Sequence, residues 1–333
     1  MSITIKDIAK KTGISTSTIS RVLSQRGYVS EETRRQVEEA VKETGYVYKP
    51  NIIKRGSIDM VMVIMGDAGK PVYAENIKGL ASVFDVLNIN FVNTYGLNYD
   101  PNMQENYMMR AIRSHFMGMI LMCPIETPTF MKLVNNCSIP CVGINRPLHT
   151  VQMDLVCLDN KAAGAMAVDY LVQHGHTRIG YLGVVDSTPS DYRMCGYIEG
   201  LKRNGLEYSE SDMLIVKDDF NAAVYAGNLF ATAKRDITAI YTSNELIAGG
   251  LIDGIRQCGL RVPEDISVIS TDNTNSSIMI TPKLTTVGAS HFDMGAEAAK
   301  LFIQRLNNPM DEKRKIYFKP KIIERDSVSF VNK

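Results

Sequence analysis

The chain lacks the two features that would place it in or across a membrane. None of its 333 residues falls in an apolar run of 18, which argues against a transmembrane helix. The segment from Met1 to Asp7 also lacks the basic, apolar and small-residue pattern of a secretory signal peptide. The sequence therefore predicts a cytosolic protein, and its length predicts two or three domains.

Cysteine is scarce and scattered. The 6 cysteines form no CxxC pair and stand at no zinc-like spacing with histidine. Most lie in apolar surroundings, as Cys123 and Cys141 do beside proline. We therefore expect buried, reduced thiols rather than disulfides, and no metal.

Motifs of the common enzyme classes are missing as well. The sequence contains no GxSxG, no P-loop, no HExxH and no GxGxxG after a strand. His174 and His176 could bind a metal, but they end a predicted helix, where histidine interacts favourably with the helix dipole. We expect no enzyme activity and no cofactor.

A basic N-terminal segment is the first informative feature that is present. Residues 1–58 contain eleven Lys/Arg and six Asp/Glu, a net charge of +5. The rest of the chain then carries −4, because the total is +1. A basic module on an acidic body is typical of nucleic-acid binding.

The same segment has the pattern of a helix-turn-helix. Helical patterns at Thr4–Thr12 and Ser15–Ser24 are separated by a break at Gly13, and a third runs from Ser30 to Thr44. In this motif the second helix enters the major groove. Its apolar positions share one face, and the opposite face carries Thr16, Ser17, Ser20, Arg21 and Ser24. Hydroxyls suit phosphates or base edges and Arg suits a guanine edge, although a solvated helix of a small bundle would look similar.

The head resembles that of LacI/GalR transcriptional regulators. The resemblance rests on three segments: ITIKDIAKKTGIS from Ile3, STISRVLS from Ser17 and VSEETR from Val29. It implies base contacts from Thr16, Ser17 and Arg21. It implies phosphate contacts from Thr4, Ser15, Ser20, Tyr28, Ser30, Thr33 and Asn51, with Thr18 and Tyr46 as weaker candidates because both could also pack in the head.

The remainder alternates between strands and helices, which predicts parallel sheets with helices on both faces. Nine strands are expected, at 60–65, 89–94, 118–123, 140–145, 155–159, 178–184, 213–217, 238–243 and 267–272. Helices are expected near 74–87, 101–114, 126–136, 160–174, 190–204, 221–235 and 244–258. So many units favour two α/β lobes, with a boundary near residue 159 from chain order alone.

The family resemblance covers the body up to about residue 330 and refines this division. It implies a type I periplasmic-binding-protein-like body whose chain crosses between the lobes three times. The predicted domains are a head at 1–49, a hinge linker at 50–58, a first lobe at 59–158 plus 289–313 and a second lobe at 159–288 plus 314–330. The linker is unusually short and contains no leucine, so we expect a truncated or missing hinge helix and a less bent operator.

Ligands of open α/β sheets bind at the carboxyl ends of the strands. Planar amides, carboxylates and a guanidinium suit sugar hydroxyls, and an aromatic ring suits the C–H face of a sugar. Each of these residues could instead cap a helix or shape a loop. The candidate effector-binding set, partly read from strand ends and partly implied by the resemblance, is Tyr73, Asn145, Arg146, Arg193, Phe220, Asn244 and Asp272.

Three positions depart from the family pattern at these strand ends, namely Glu245, Thr271 and Asn273. The departures indicate an effector different from those of the best-known members.

Together the patterns predict a cytosolic homodimeric repressor of carbohydrate genes that binds a palindromic DNA operator and is controlled by a sugar-like effector. One alternative is a regulator that responds to a nucleobase or a phosphoprotein. Another is a sugar sensor or enzyme-like protein whose head no longer binds DNA.

Overall fold

The structure, a computed structural model, describes residues 4–23, 29–44, 58–67, 69–95, 100–233 and 236–331. The candidate DNA contacts Tyr28, Tyr46 and Asn51 and the predicted hinge linker, apart from its last residue, lie outside these ranges. No helix in the described part is long and apolar enough to cross a membrane.

The three predicted head helices are confirmed. They are α1 (Ile5–Thr12), α2 (Thr16–Leu23) and α3 (Glu31–Thr44). Gly13 ends α1 with φ 71°, a left-handed conformation that glycine adopts without steric cost. Ile8, Ile19 and Val37 are fully buried between the helices, so the predicted apolar face of α2 points inward.

A parallel sheet forms the first lobe. In the described residues its spatial order is β11-β5-β4-β3-β1-β2. The strands in chain order are β1 (Ile58–Met65), β2 (Asn90–Tyr95), β3 (Phe116–Met122), β4 (Cys141–Ile144), β5 (Asp154–Leu158) and β11 (Lys315–Phe318). Its helices are α4 (Pro71–Phe84), α5 (Pro101–Arg113), α6 (Pro128–Asn135) and α12 (His291–Asn307).

Alternation along β1 shows why this sheet carries helices on both faces. Val61 and Val63 pack in the cluster that contains Phe84 of α4 and Phe302 of α12. Met62 and Ile64 point the other way and pack in the cluster that contains Met108 of α5. Both faces of the strand are therefore buried, as expected for a parallel sheet.

The second lobe has the same architecture, a sheet covered by helices. Among the described residues the order is β12-β10-β9-β8-β6-β7, parallel except for the β10–β12 pair. The strands are β6 (Ile179–Val184), β7 (Met213–Val216), β8 (Ala239–Thr242), β9 (Ser267–Thr271), β10 (Thr285–Gly288) and β12 (Lys321–Ile323). The helices are α7 (Asn160–Gln173), α8 (Thr188–Arg203), α9 (Phe220–Ala233), α10 (Glu245–Gln257) and α11 (Ser276–Met279).

The α/β fold class, with a helical head and two parallel-sheet lobes, is confirmed. The final segment differs from the prediction, which assigned 314–330 to the second lobe. Strand β11 instead pairs with β5 in the first sheet, from Lys315 with Leu155 to Phe318 with Leu158. After β11 the chain returns to the second sheet at β12, so the last crossing between the lobes lies between Phe318 and Lys321. The alternating hydrophobicity of both strands is compatible with either sheet, and only the observed pairing distinguishes them.

Among the helix pairs that approach at backbone distance, two carry residues of the site described next. A Cβ on Gly295 of α12 would lie 2.1 Å from the carbonyl oxygen of Asn76 on α4. A Cβ on Gly164 of α7 would lie 2.1 Å from the carbonyl oxygen of Arg193 on α8. Both contacts are possible because glycine has no side chain. The first pair belongs to the first lobe and the second pair to the second lobe.

Candidate functional site

The outer face of α2 presents small polar side chains and one arginine. Thr16, Ser17 and Arg21 are exposed, and Ser20 is half-buried. Ser15 caps the helix, because its Oγ accepts a hydrogen bond from the backbone N–H of Thr18 at 3.1 Å. The N-terminus of α2 is thus an exposed positive dipole end that can approach a phosphate.

The other described head candidates lie at helix starts. Thr4 is exposed before α1, where its N–H donates to Asp7 Oδ2 at 2.8 Å. Ser30 is exposed before α3 and accepts a hydrogen bond from the N–H of Thr33 at 3.3 Å. These positions suit phosphate contacts, which remain a prediction.

Arg193 is the centre of the candidate effector site. It lies on α8 and is only 8 % exposed. Its Nε donates to Asn160 Oδ1 at 2.8 Å, its Nη2 donates to Asp272 Oδ1 at 2.9 Å, and its Nη1 donates to the Ser243 carbonyl oxygen. Burial lowers the pKa of Arg193, but the Asp272 carboxylate more than compensates and holds it above the ordinary value. The guanidinium therefore joins the carboxyl ends of β8 and β9 to the start of α7.

Asp272 itself has an unusual backbone. Its φ of 111° is a left-handed value, and Asn145, after β4, has φ 71°. Residues other than glycine rarely adopt such values, and those that do often lie at functional sites. Both turn immediately after a strand, at the edge where ligands of α/β sheets bind.

Two hydrogen bonds and one longer polar contact link this arrangement to the first lobe. Asn145 Nδ2 donates to Asn76 Oδ1 at 2.7 Å, and Asn76 Nδ2 donates to the carbonyl oxygen of His291 at 2.8 Å. His291 Nε2 lies 3.9 Å from Asp272 Oδ1. The predicted residues Asn145, Arg193 and Asp272 therefore come together through Asn76 and His291.

Asn244 belongs to a second group of polar side chains, which connects the two lobes. Its Oδ1 caps α10 by accepting from the N–H of Ile247, and its Nδ2 donates to Asp218 Oδ1 at 2.9 Å. Asp218 also forms a salt bridge with Lys70, which precedes α4 in the first lobe. Asn244 thus orients a carboxylate that joins the two lobes.

The three remaining candidates are placed differently. Tyr73 is 1 % exposed in the core of the first lobe. Arg146 is half-buried and lies near the carboxyl of Asp191 on α8. Burial raises the pKa of Asp191, and the positive charge of Arg146 offsets part of that rise. Phe220 is 40 % exposed at the start of α9, against Gly249 of α10. Phe220 has no polar side-chain atom and takes no part in the hydrogen bonds around Arg193.

Glu245 is a buried carboxyl beside this site. It is 4 % exposed, and its Oε1 accepts a hydrogen bond from the N–H of Thr274 at 2.8 Å. Burial, together with the charge of Asp272, raises its pKa to about 7 despite these hydrogen bonds.

Sequence reasoning missed several residues of the site. His291 showed no partner in the sequence because the strand before it, β10, was not predicted, so its position at a strand end was not visible. Asn76 lies inside α4, where asparagine gives no local signal. Asn160, at the start of α7, was identifiable only as a helix beginning.

The histidines near the end of α7 have structural roles. His174 Nδ1 lies 2.8 Å from the Tyr170 carbonyl oxygen, and His176 lies between Thr238 Oγ1 and the Ser329 carbonyl oxygen. Within the described part of the chain, no cluster of three or more potential metal ligands occurs.

Gly164→Leu tests whether the close contact between α7 and α8 stabilises the fold. We expect it to lower the free energy of unfolding by about 1–3 kcal/mol, because the new side chain must separate two backbones. Urea unfolding of the full chain measures this. Gln173→Leu adds the same side chain at an exposed position of α7 and should change little; equal losses in both variants would contradict the packing argument.

Comparison with known proteins supports both parts of this description. A model described as bacterial regulatory proteins, lacI family, matches residues 4–51, and a periplasmic binding protein-like domain model matches residues 168–328. The HTH-type transcriptional repressor PurR of Pasteurella multocida is 29% identical over 336 residues, which cover 98% of each chain.

Solved structures agree. A complex of the transcriptional regulator CelR with cellobiose has a TM-score of 0.74 at 25% identity, covering 98% of this chain and 99% of that one. The Lac repressor dimer bound to operator and the anti-inducer ONPF has a TM-score of 0.74 at 21% identity, covering 99% and 100%. The curated relatives are named as transcriptional repressors or regulators, in agreement with the expectation that the chain is not an enzyme. The chain is therefore similar to the lacI family of bacterial regulatory proteins in its head and, over its whole length, to the transcriptional repressor PurR.

Proposed function

We propose that the protein is a cytosolic transcriptional repressor whose head reads a palindromic DNA operator. The observation that carries this proposal is the outer face of α2, where Thr16, Ser17 and Arg21 are exposed beside a capped helix N-terminus. Small hydroxyl side chains allow the helix backbone to approach the groove closely, and the arginine is long enough to reach a guanine edge. The match of residues 4–51 to the lacI family model supports the same function.

The effector is proposed to be a sugar-like molecule bound between the lobes, so that the regulated genes serve carbohydrate metabolism. Three contacts between the lobes support control by lobe closure. These are the Lys70–Asp218 salt bridge, the Arg146–Asp191 attraction and the stacking of His149 on Tyr192 at a centroid distance of 5.8 Å. A ligand that favours one arrangement of these contacts shifts the equilibrium between lobe positions. The cellobiose complex of CelR is consistent with this ligand class.

An apolar surface on the second lobe supports a homodimer. Its exposed members lie on or beside the helices α9, α10 and α11, and they are Phe220, Tyr225, Leu246, Ile278 and Met279. Exposed apolar side chains that are grouped on neighbouring helices are typical of interaction surfaces. A second copy of the chain is the proposed partner, since a two-fold protein matches a palindromic operator. The Lac repressor structure is described as a dimer.

The domain division is part of the proposal. The head, the short hinge and the two lobes would act as separate units joined by the chain crossings. The first lobe would extend through β11, and the second lobe would resume at β12.

Selection of bound duplexes from a random library tests the function. The purified full-length protein would be used with and without a panel of neutral sugars. We expect a palindrome to be enriched, and at least one sugar to weaken or sharpen the enrichment. Failure to enrich any sequence, together with binding that does not weaken as salt rises, would contradict a DNA-reading head.

Arg21→Ala should weaken operator binding by about 1–3 kcal/mol and relax specificity at one base position, because a base contact discriminates between sequences. Competition binding against operators changed at each position measures both effects. Arg35→Ala is the control, since Arg35 lies on α3 in an exposed pair with Glu32. Equal weakening on all sequences would show that Arg21 contacts phosphate instead.

A further inference from the structure

The connection between β4 and β5 differs from the other connections between successive strands of the first lobe. The chain passes from β1 to β4 through the helices α4, α5 and α6. Residues 145–153, which we call the crossover segment, are described in full and join β4 to β5 without a helix. Parallel strands are usually joined through a helix. A segment without helical hydrogen bonds must have its backbone groups satisfied in another way.

The carboxylate of Glu126 supplies these hydrogen bonds. Its Oε2 accepts from the N–H of His149 at 2.8 Å, and its Oε1 accepts from the N–H groups of Thr150 at 2.9 Å and Val151 at 3.0 Å. The Thr150 hydroxyl also donates to Oε1, at 2.8 Å. Burial works against the ionised form of Glu126, but these hydrogen bonds more than compensate, and its pKa lies below the ordinary value. One ionised carboxylate therefore fixes three consecutive residues of the crossover segment.

Apolar side chains attach the same segment to the core of the first lobe. Leu148 and Val151 are 5% and 2% exposed, and they pack in the cluster that contains Met108 of α5. The carbonyl oxygen of Leu148 accepts a hydrogen bond from Lys315 Nζ at 3.2 Å. His149 lies between the two buried residues and is itself exposed. The crossover segment is thus part of the first lobe and presents one aromatic ring at its surface.

This ring contacts the second lobe. The imidazole of His149 stacks on the ring of Tyr192 on α8, with a centroid distance of 5.8 Å and an interplanar angle of 15°. The preceding residue of α8, Asp191, lies near Arg146 of the crossover segment. The following residue, Arg193, is buried in the candidate effector site. Because these three residues are consecutive on one helix, a contact that holds Tyr192 also restricts the position of Arg193.

We propose that the crossover segment holds the two lobes together before any effector binds, and that Glu126 is the positioning residue of this contact. The inference rests on the proposed control by lobe closure, and it adds a residue that regulates closure from outside the hydrogen-bonded group around Arg193. A stacked aromatic pair is strong enough to change the ratio of separated to closed lobes by about two- to tenfold. Operator affinity should change with that ratio, because the two equilibria are linked.

Fluorescence of the full-length protein without added ligand tests the contact directly. The chain contains no tryptophan, so Tyr192→Trp places a single indole against His149. Addition of Glu126→Ala should raise the acrylamide quenching constant of this indole by about twofold or more, because the lobes separate and expose it. Addition of Glu297→Ala is the control, since it removes a carboxylate from an exposed pair with Lys300. Equal quenching with and without Glu126→Ala, or an equal rise with the control, would overturn the proposal.

Operator binding measures the effect on function. Glu126→Ala and Tyr192→Leu should each change the Kd for the selected operator by about two- to tenfold, in the same direction. The double variant should show no more than the larger single effect, because both substitutions remove one contact. Additive effects of the two substitutions, or an unchanged Kd in both single variants, would contradict the proposed role of Glu126.

Two features keep the outcomes separate. Tyr192→Leu leaves the hydrogen bonds of Glu126 in place, so it tests the contact even if Glu126→Ala unfolds, which far-ultraviolet circular dichroism detects. A parent protein that binds no operator would contradict the proposed function, and the fluorescence measurement would still decide whether Glu126 positions the contact between the lobes.

Discussion

Arg305→Met is expected to lower the free energy of unfolding by about 3–5 kcal/mol, because it leaves the Asp154 carboxylate buried without its cation. The two side chains are 4% and 0% exposed. Arg305 Nε donates to Asp154 Oδ2 at 2.7 Å and its NH2 donates to Asp154 Oδ1 at 3.1 Å. The guanidinium also donates to carbonyl oxygens after α12, including that of Glu312 at 2.8 Å. The pair therefore attaches the end of α12 to the start of β5.

Urea unfolding of the full chain, followed by far-ultraviolet circular dichroism, measures this effect. Arg261→Met is the matched control, since it breaks an exposed pair with Asp265 in which the arginine side chain is 69% exposed. Exposed pairs contribute about 0–1 kcal/mol. Asp154→Leu combined with Arg305→Met should recover part of the stability, because it removes the unpaired charge. A single variant as stable as the control would show that the buried pair contributes nothing.

Much of the fold follows from local signals in the sequence. Strands such as β1 and β6 are long apolar runs that both faces of a sheet must bury, and they were predicted to within a few residues. Helix starts were visible because Ser15, Ser30 and Asp159 are good N-cap residues. In contrast, β10 is a four-residue strand after a proline-containing turn, too short for periodicity to separate it from a loop.

The candidate site was harder to predict, because its parts meet only in three dimensions. Asn145, Arg193 and Asp272 stand at strand ends or helix starts, where the sequence gives a signal. Asn76 and His291 are 215 residues apart in sequence. Their contact depends on the close crossing of α4 and α12. Gly295 permits that crossing, but a glycine in the sequence does not predict which helix will pack against it. Fold rules thus locate the edge where a site can form, and packing decides which polar atoms reach it.

Glu245 shows how a departure from the family pattern can have a measurable consequence. The sequence indicates only that Glu245, at the start of α10, has a longer side chain than the aspartate of the family pattern. In the fold it is buried, and its pKa rises from 4.5 to about 7. Between these values the unfolded chain has lost the proton and the folded chain still holds it. Folding stability therefore falls as the pH rises through this interval, and the loss is complete above about pH 7.

Glu245→Gln removes this titration and is expected to stabilise the protein at high pH. The displacement of the pKa corresponds to about 3 kcal/mol. The amide oxygen can still accept from the Thr274 N–H, so the parent and the variant should have similar stability near about pH 5. At about pH 8 the variant should be more stable by up to that amount. Urea unfolding of the parent and the variant across this pH range gives the difference in stability between them. The contributions of the other titrating groups cancel in that difference.

Glu199→Gln is the control for this prediction. The Lys161 ammonium holds the pKa of Glu199 below its usual value, so that carboxyl is ionised in the folded and unfolded chain throughout this pH range. The pH dependence of stability should therefore match that of the parent. If Glu245→Gln behaves in the same way, the Glu245 carboxyl is ionised in the fold at neutral pH. A buried carboxylate would then stand beside the Asp272 carboxylate, and the Arg193 guanidinium would be the nearest cation to both.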